Sequence, residues 1–160
     1  MSWFKRKSKN GDQTLKSPAN GEVTPITEVP DEVFATKMMG DGFAVKPENG
    51  KVVSPVSGKV TFIADTKHGI GLTADNGMEI IIHMGIDTVS LKGKPFQMTV
   101  GLNEIIHAGD QLVTIDLNVI KAADLDPVII VAITNFNDLA EKLEVNLGSA
   151  NAGDSVAKLV

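Results

Sequence analysis

The stretch Ser54-Pro-Val-Ser-Gly-Lys-Val-Thr-Phe-Ile63 repeats, in outline, the earlier stretch Ser17-Pro-Ala-Asn-Gly-Glu-Val-Thr-Pro-Ile26. Both follow the pattern S-P-x-x-G-x-V-T-x-I. Proline fixes φ for a turn, glycine permits a positive φ, and Val-Thr-x-Ile is typical of the start of a strand. A second, shorter repeat is formed by Ala108-Gly-Asp-Gln-Leu112 and Ala152-Gly-Asp-Ser-Val156. Unless these turns are alike by chance, they predict a β fold with pseudo-twofold character.

The rest of the chain agrees with a β fold, because short runs rich in valine, isoleucine and threonine alternate with glycines. These runs read KVVSPV, GKVTFIA, GIGLTA, MEIIIHM, QLVTIDL and PVIIVAIT. Such spacing predicts an all-β sandwich or barrel. Three short helices are predicted, around 31–38, 119–125 and 137–143. The last has asparagine as its N-cap and Lys142 near its end.

Length and composition set the class of protein. A chain of 160 residues, 42% of them hydrophobic, is long enough for one domain with a substantial core. No run of about 18 apolar residues is present, and no apolar segment follows the basic start as in a secretory signal. The sequence has no cysteine, which excludes disulfides, thiolate zinc sites and cysteine nucleophiles and is compatible with the cytoplasm.

Charge is distributed unevenly along the chain. Residues 1–16 hold five cations against one acidic residue, a net charge of +4, which leaves −9 on residues 17–160. An acidic body argues against nucleic acid as a partner and favours basic proteins. We expect residues 1–16 to form a mobile basic tail. Trp3 and Phe4 beside its cations suit either weak contact with an anionic membrane or a solvated terminus.

The stretch Glu79-Ile-Ile-Ile-His-Met-Gly-Ile-Asp87 places a histidine among isoleucines. In a strand, alternate side chains point to opposite faces. Met78, Ile80, Ile82 and Met84 then share the core face, so His83 lies on the other face with Glu79, Ile81 and Gly85. We expect Gly85 to leave open space beside the imidazole, and Ile81 to be exposed apolar surface near it, as at a docking face.

A hairpin is predicted to bring His68 towards His83, because Asp75-Asn76-Gly77 carries two turn signals. With a two-residue turn at Asn76-Gly77, His83 is opposite Ile70. With a turn at Asp75-Asn76, the two histidines face each other directly. Either register puts them on one face, about 5 or 7–8 Å apart between β-carbons. A three-residue turn would put them on opposite faces.

Two adjacent imidazoles permit three interpretations. Neutral imidazole is a nucleophile that can accept a phosphoryl group, and a second imidazole can support it. The pair is also half of a zinc site, which Glu79, Asp87 or a partner would have to complete. The third interpretation is a structural pair without chemistry. His107, which precedes the turn at Ala108-Gly-Asp110, is interpreted as an exposed residue at the end of a strand.

The residues around the pair resemble a known family. Residues 68–83, HGIGLTADNGMEIIIH, followed by MGIDTVSLKG, are similar to the glucose-family enzyme IIA of the bacterial phosphoenolpyruvate-dependent sugar phosphotransferase system. The similarity extends over nearly all of residues 17–160. Further matching stretches are VPDEVFA (29–35), MGDGFAVKP (39–47), VSPVSG (53–58), AGDQL (108–112) and PVIIVAITN (127–135).

The resemblance implies an antiparallel β-sandwich with a duplicated, barrel-sandwich-hybrid motif and a few short helices, with its core at about 31–135. It implies that His83 accepts the phosphoryl group on Nε2, that His68 supports onward transfer, and that Thr66 orients the pair. The donor would be the phosphocarrier HPr, and the acceptor a cysteine of the IIB domain of a membrane sugar permease. The partner-binding positions implied by the resemblance are Val33, Phe34, Met38, Met39, Ile81 and Asp87.

The resemblance also implies a cytoplasmic, monomeric carrier that needs no cofactor, with zinc shared between His68, His83 and a partner carboxylate in a regulatory complex. A protein that is mainly regulatory, with its phosphorylation state as the signal, is the alternative. Departures from the family pattern are Lys94-Pro-Phe96 in place of Glu-Gly-Phe, and Gly69 and Gly71 in place of larger residues. We expect the two glycines to flatten the docking patch.

Overall fold

The computed structural model describes residues 12–160, and strands dominate them. The strands are β1 (Thr14–Lys16), β2 (Gly21–Pro25), β3 (Asp41–Pro47), β4 (Lys51–Val53), β5 (Gly58–Ile63), β6 (Gly69–Ala74), β7 (Glu79–Met84), β8 (Phe96–Met98), β9 (Ile105–Ile106), β10 (Gln111–Ile115), β11 (Ile129–Ile133), β12 (Leu143–Val145), β13 (Gly148–Ala150) and β14 (Ser155–Leu159). One eight-stranded sheet has the order β13-β2-β3-β11-β7-β6-β5-β9. Two three-stranded sheets, β1-β14-β12 and β4-β10-β8, complete the fold. All pairings are antiparallel, which confirms the predicted class.

The helices are few and shorter than predicted. They are α1 (Glu32–Ala35), α2 (Leu117–Ala122) and α3 (Phe136–Leu139), with 3₁₀ turns at Ile26–Glu28 and Thr88–Leu91. The prediction for 137–143 is wrong in its limits and its cap, because Asn135 precedes α3 and residue 143 begins β12. None of the helices in the described part of the chain is long and apolar enough to cross a membrane.

The two copies of the repeated pattern make the same turn. The hydroxyl of Ser17 donates to the Ala19 carbonyl at 2.7 Å, and that of Ser54 donates to the Val56 carbonyl at 2.6 Å. Both serines are fully buried, which is acceptable because each hydroxyl is hydrogen-bonded. Strands β2 and β5 then start at the glycine of each copy. The repeated sequence pattern therefore forms a repeated structure.

The predicted boundary of the tail is wrong. Thr14–Lys16 form β1, which pairs with β14, and Leu15 is fully buried. The core also extends past the predicted 31–135, because Val156 and Leu159 belong to it. The expected membrane contact through Trp3 and Phe4 falls on residues outside those that the structure describes.

A second apolar cluster lies on the opposite side of the large sheet from the main core. Every residue of β11 is buried, since both faces of this strand are covered. Ile130 and Ala132 pack with Phe34 of α1 in this second cluster, whereas Ile129 and Val131 belong to the main core. Helix α1 thus covers part of the outer face of the sheet, next to β7.

Candidate functional site

The alternation predicted for β7 is confirmed. Met78, Ile80, Ile82 and Met84 are at most 1% exposed and belong to the main core. His83 is half-buried on the outer face of the sheet. It pairs with Gly69 of β6 on one side and Ile130 of β11 on the other.

The predicted two-residue turn is wrong. His83 faces Gly69, a register between the two that were predicted, and Asp75-Asn76-Gly77 form a three-residue connection between Ala74 and Met78. Strict alternation would then place His68 on the core face. The structure nevertheless brings the rings of His68 and His83 to a centroid distance of 5.2 Å, with an edge-to-face angle of 82°.

His68 reaches the outer face because it precedes β6 rather than belonging to it. Lys67, immediately before it, has a φ of 60°, in the left-handed region. The chain turns there, so the alternation of a regular strand does not govern the direction of the His68 side chain. The backbone remains attached to the sheet, since the His68 carbonyl accepts from the Met84 N–H at 2.7 Å.

Both imidazoles are held by direct neighbours. The hydroxyl of Thr66 and Nδ1 of His68 are hydrogen-bonded at 2.6 Å. The ring of Phe34 packs on His83 at a centroid distance of 5.0 Å and an angle of 53°. The three sequence-predicted site residues, Thr66, His68 and His83, therefore lie together, and Phe34 packs against the ring of His83.

The expectation of open space at Gly85 is wrong. Gly85 is buried with a φ of +82°, and its N–H donates to the Val128 carbonyl at 2.8 Å. A β-carbon there would overlap Cγ2 of Thr88, whose hydroxyl donates to the Met84 carbonyl at 2.6 Å. Thr88 fixes the turn that follows His83. The sequence analysis missed it, although a threonine four residues after a strand carbonyl is a local signal for such a bond.

The protonation of His83 is set mainly by burial. Burial lowers the pKa of His83 from its usual 6.5, and the charge of His68 lowers it further. Asp31, the Gly85 backbone and Asp87 act in the opposite direction on this pKa, with smaller effects. Burial also lowers the pKa of His68. Both rings are therefore neutral near pH 7, as a nucleophilic imidazole must be.

These shifts predict that the C2 proton of His83 titrates with a midpoint below 6.5 in an NMR experiment. In a His68→Gln variant, the midpoint of His83 should rise, because the repelling charge is removed. Stability should change in the same pH range. Between 6.5 and the depressed folded pKa, the unfolded imidazole binds protons that the folded one does not, so stability falls as pH falls. A midpoint at or above 6.5 in the unchanged protein would contradict this account.

Of the residues predicted to contact partners, most are at least partly exposed, whereas Phe34 is buried. Val33 is 42% exposed and Met38 is 74% exposed. Met39 and Ile81 are half-buried, and Asp87 is exposed in a left-handed conformation. Phe34 is only 6% exposed, so it lies beneath this surface and in contact with His83.

In residues 12–160, no group of three or more histidine or acidic side chains is close enough to hold a metal ion. His68 and His83 thus offer two ligands without a third. His107 is exposed, with Nδ1 3.6 Å from Asp110, as predicted for a residue at the end of a strand.

The fold and the site together define an antiparallel β-sandwich with a supported, neutral histidine pair on the outer face of its large sheet. The sequence model of the phosphoenolpyruvate-dependent sugar phosphotransferase system, EIIA 1, matches residues 13–139. The chain belongs to this family, whose members carry phosphoryl groups in sugar uptake.

Named relatives agree with this assignment. The glucose-specific EIIA component of Bacillus cereus is 43% identical over 89% of this chain and 86% of its own length. The glucose-specific EIICBA component of Streptococcus pneumoniae serotype 4 is 46% identical over 92% of this chain, which spans only 20% of that protein. The structure of glucose permease IIA from Mycoplasma capricolum superposes with a TM-score of 0.81, at 38% identity and 98% coverage of both chains.

Proposed function

We propose that this protein is a cytoplasmic phosphocarrier that receives a phosphoryl group from phosphorylated HPr on Nε2 of His83. It then passes the group to a cysteine on the IIB domain of a glucose-type membrane permease. The observation that carries the assignment to Nε2 is the burial of the other ring nitrogen. Nδ1 of His83 is inaccessible and makes no hydrogen bond of good geometry to a described residue. Only Nε2 is left to meet a phosphoryl donor.

The chemistry requires a neutral imidazole ring and a site that is open to a partner protein but keeps water away from the reacting atoms. The lone pair of Nε2 forms the new P–N bond while the P–N bond of the donor histidine breaks, and the donor imidazole retains that electron pair. In the second step a thiolate of IIB attacks phosphorus, and the electron pair returns to Nε2. No atom of a cofactor takes part in either step.

His68 and Thr66 act as supports in this proposal. The hydrogen bond between Thr66 and Nδ1 of His68 fixes the second ring. Its Nε2 is then the nitrogen available to hydrogen-bond phosphate oxygens. A hydrogen bond from Nε2–H of His68 to the phosphoryl oxygens would stabilise the charge that develops as the thiolate attacks phosphorus. We expect this support to matter more for onward transfer than for uptake.

The surface around the pair suits brief encounters with several partners. Val33 and Met38 are exposed beside the site, and methionine adapts to differently shaped surfaces. The acidic body complements a basic donor, which speeds association without raising affinity greatly. We propose that the carrier acts as a monomer, with Val33, Met38, Met39, Ile81 and Asp87 in contact with each partner in turn.

Zinc binding at the histidine pair would require a partner protein that supplies further ligands. The chain supplies two imidazoles, whereas a zinc site usually has four ligands. A regulatory partner that supplies a carboxylate would complete a site at His68 and His83. Such a complex would block phosphorylation, because it occupies the nitrogen that accepts the phosphoryl group.

Intact-mass spectrometry tests the proposed function directly. After incubation with phosphoenolpyruvate, enzyme I and HPr, we expect one added phosphate of about 80 Da that is lost in acid and stable in base, as phosphohistidine is. The control omits HPr and should show no addition. No mass change with HPr that phosphorylates a known acceptor would overturn the proposal.

A further inference from the structure

Asparagine is followed by glycine at three places in the described part of the chain: Asn20-Gly21, Asn49-Gly50 and Asn76-Gly77. A fourth such pair, at 10–11, lies outside the described residues. Asparagine is chemically labile in this setting, because the backbone nitrogen of the next residue can attack the side-chain amide and glycine hinders that attack least. The structure makes the three described pairs unequal in this respect.

Two of the three pairs have a glycine whose backbone is packed against another strand. A β-carbon on Gly21 would lie 2.0 Å from the carbonyl oxygen of Lys46, and one on Gly50 would lie 1.8 Å from that of Ile115. The Gly50 carbonyl also accepts from the Ile115 N–H at 2.7 Å. Ring closure rotates the backbone at the asparagine and the glycine, so at these two pairs it would have to break contacts between strands.

Gly77 differs from the other two glycines, because it is exposed in the connection between β6 and β7. Its φ is +98°, and apart from its chain neighbours no atom lies within 4 Å of an added β-carbon. Its N–H donates to the Ala74 carbonyl at 3.0 Å, and its carbonyl accepts from Nδ2 of Asn135 at 2.9 Å. This turn can therefore open locally without separating two strands.

The side chain of Asn76 is folded back along the backbone that would attack it. Its Oδ1 accepts from the Met78 N–H at 3.1 Å, which bends the side-chain amide towards the intervening Gly77. Its Nδ2 donates to the Asp12 carbonyl at 2.8 Å. The same amide group thus ties the residues that precede β1 to the hairpin that carries the histidine pair.

We propose that Asn76 is a site of deamidation, and that the modification detaches Asp12 and disturbs the hairpin between His68 and His83. The Gly77 nitrogen loses its proton to a base in solution and forms a bond to Cγ of Asn76. The bond from Cγ to Nδ2 breaks, and the nitrogen takes up protons and leaves as ammonia. Water then opens the cyclic succinimide at either carbonyl, which gives aspartate or isoaspartate. The assignment of this site does not depend on the proposed function.

Both products remove contacts that the asparagine makes. A carboxylate at this position has no proton to donate to the Asp12 carbonyl, and it adds a negative charge near Asp12 and Asp75. Isoaspartate also adds one carbon to the backbone of the connection 75–77, whose length fixes the register of β6 and β7. The effect therefore reaches the two strands that place the histidines opposite each other.

Peptide mapping of the full chain tests the site, because trypsin leaves each Asn-Gly pair in a different peptide. After incubation at mildly alkaline pH, we expect the peptide with Asn76 to gain about 1 Da at least about 10-fold faster than those with Asn20 and Asn49, since opening a strand raises the barrier. In concentrated urea the three rates should become similar. Asn76→Gln is the matched control: it keeps the amide but requires a larger, slower-forming ring, so its peptide should stay unmodified.

NMR spectra of the same samples test the effect on the hairpin. A second set of C2-proton signals from His68 and His83 should appear with the half-time of the modified peptide, and should be absent from incubated Asn76→Gln. Equal rates for Asn76 and Asn49 in the folded protein would overturn the proposed site. A modified peptide with unchanged histidine signals would overturn the proposed effect. Neither readout uses a phosphoryl donor, so failure of fresh protein to accept phosphate would count against the proposed function alone.

Discussion

Replacement of His83 by glutamine should reduce phosphoryl uptake by at least about 1,000-fold, because the nitrogen that accepts the phosphoryl group, Nε2 of His83, is lost. Glutamine retains much of the size and polarity of the ring, so the half-buried position on β7 stays filled. The same substitution at His68 should give a different result. Uptake should continue within about 10-fold, whereas transfer from His83 to IIB should fall by at least about 100-fold, as for loss of a hydrogen-bond donor aimed at the reacting group.

Two measurements separate these roles. Rapid-quench assays with labelled donor give the uptake rate, and a chase with excess IIB gives the rate of release. His107→Gln is the matched control, since His107 is exposed and its partner is Asp110, far along the chain from the pair. Equal loss of uptake in His68→Gln and His83→Gln would contradict the division of roles, and so would a labelled His83→Gln protein.

Gly85→Ala should lower the free energy of unfolding by about 2–4 kcal/mol. It should also displace the turn that follows His83, and with it the ring of His83. The φ of +82° strains any residue with a β-carbon, and that carbon would overlap Cγ2 of Thr88 and lie 3.1 Å from the Asp126 carbonyl. Left-handed strain and overpacking each cost about 1–3 kcal/mol. Urea denaturation measures the free energy of unfolding. The NMR titration of His83 in the same variant reports whether its ring has moved.

Gly77→Ala supplies the control for strain alone. Its φ is +98°, yet no atom lies within 4 Å of the added β-carbon, so only the backbone is affected. This variant should lose about 1 kcal/mol. The difference between the unfolding free energies lost in Gly85→Ala and in Gly77→Ala then measures how tightly the turn after His83 is packed. Equal losses would mean that Thr88 and Asp126 move aside freely, and that the turn does not hold the histidine.

Local patterns predicted much of this fold because they depend on neighbouring residues. The alternation along β7 identified the core face from Met78 to Met84, since a buried methionine or isoleucine at every second position leaves one arrangement of the strand. The duplicated serine–proline turns were recognisable for the same reason. Each is closed by its own serine hydroxyl.

The meeting of the two histidines was correctly predicted for the wrong geometric reason. The register depends on the length of the turn at 75–77, and Asn76-Gly77 favours two-residue turns only as an average. The true register alone would have separated the rings. What restores their contact is the left-handed Lys67, and a lysine in that conformation leaves no signal in the sequence.

Long-range pairings were also beyond prediction from the sequence. Residues 14–16 are polar on both sides of Leu15, so they were interpreted as the end of a tail. They form a strand only because β14, more than a hundred residues later, supplies hydrogen-bonding partners. Phe62 was assigned to a strand, but its exposure follows from the irregular pairing near residue 61, where the register shifts.

The pairing of β1 with β14 has a consequence for the architecture of larger proteins. Thr14 is opposite Lys158, so the two ends of the described chain leave the sandwich side by side. Leu15 and Leu159 belong to the main core. The strands at the two ends pair in the three-stranded sheet β1-β14-β12, whereas His83 lies on β7 of the eight-stranded sheet. A domain joined to either end would therefore leave the strand pairings of β7, and the support of His83, intact.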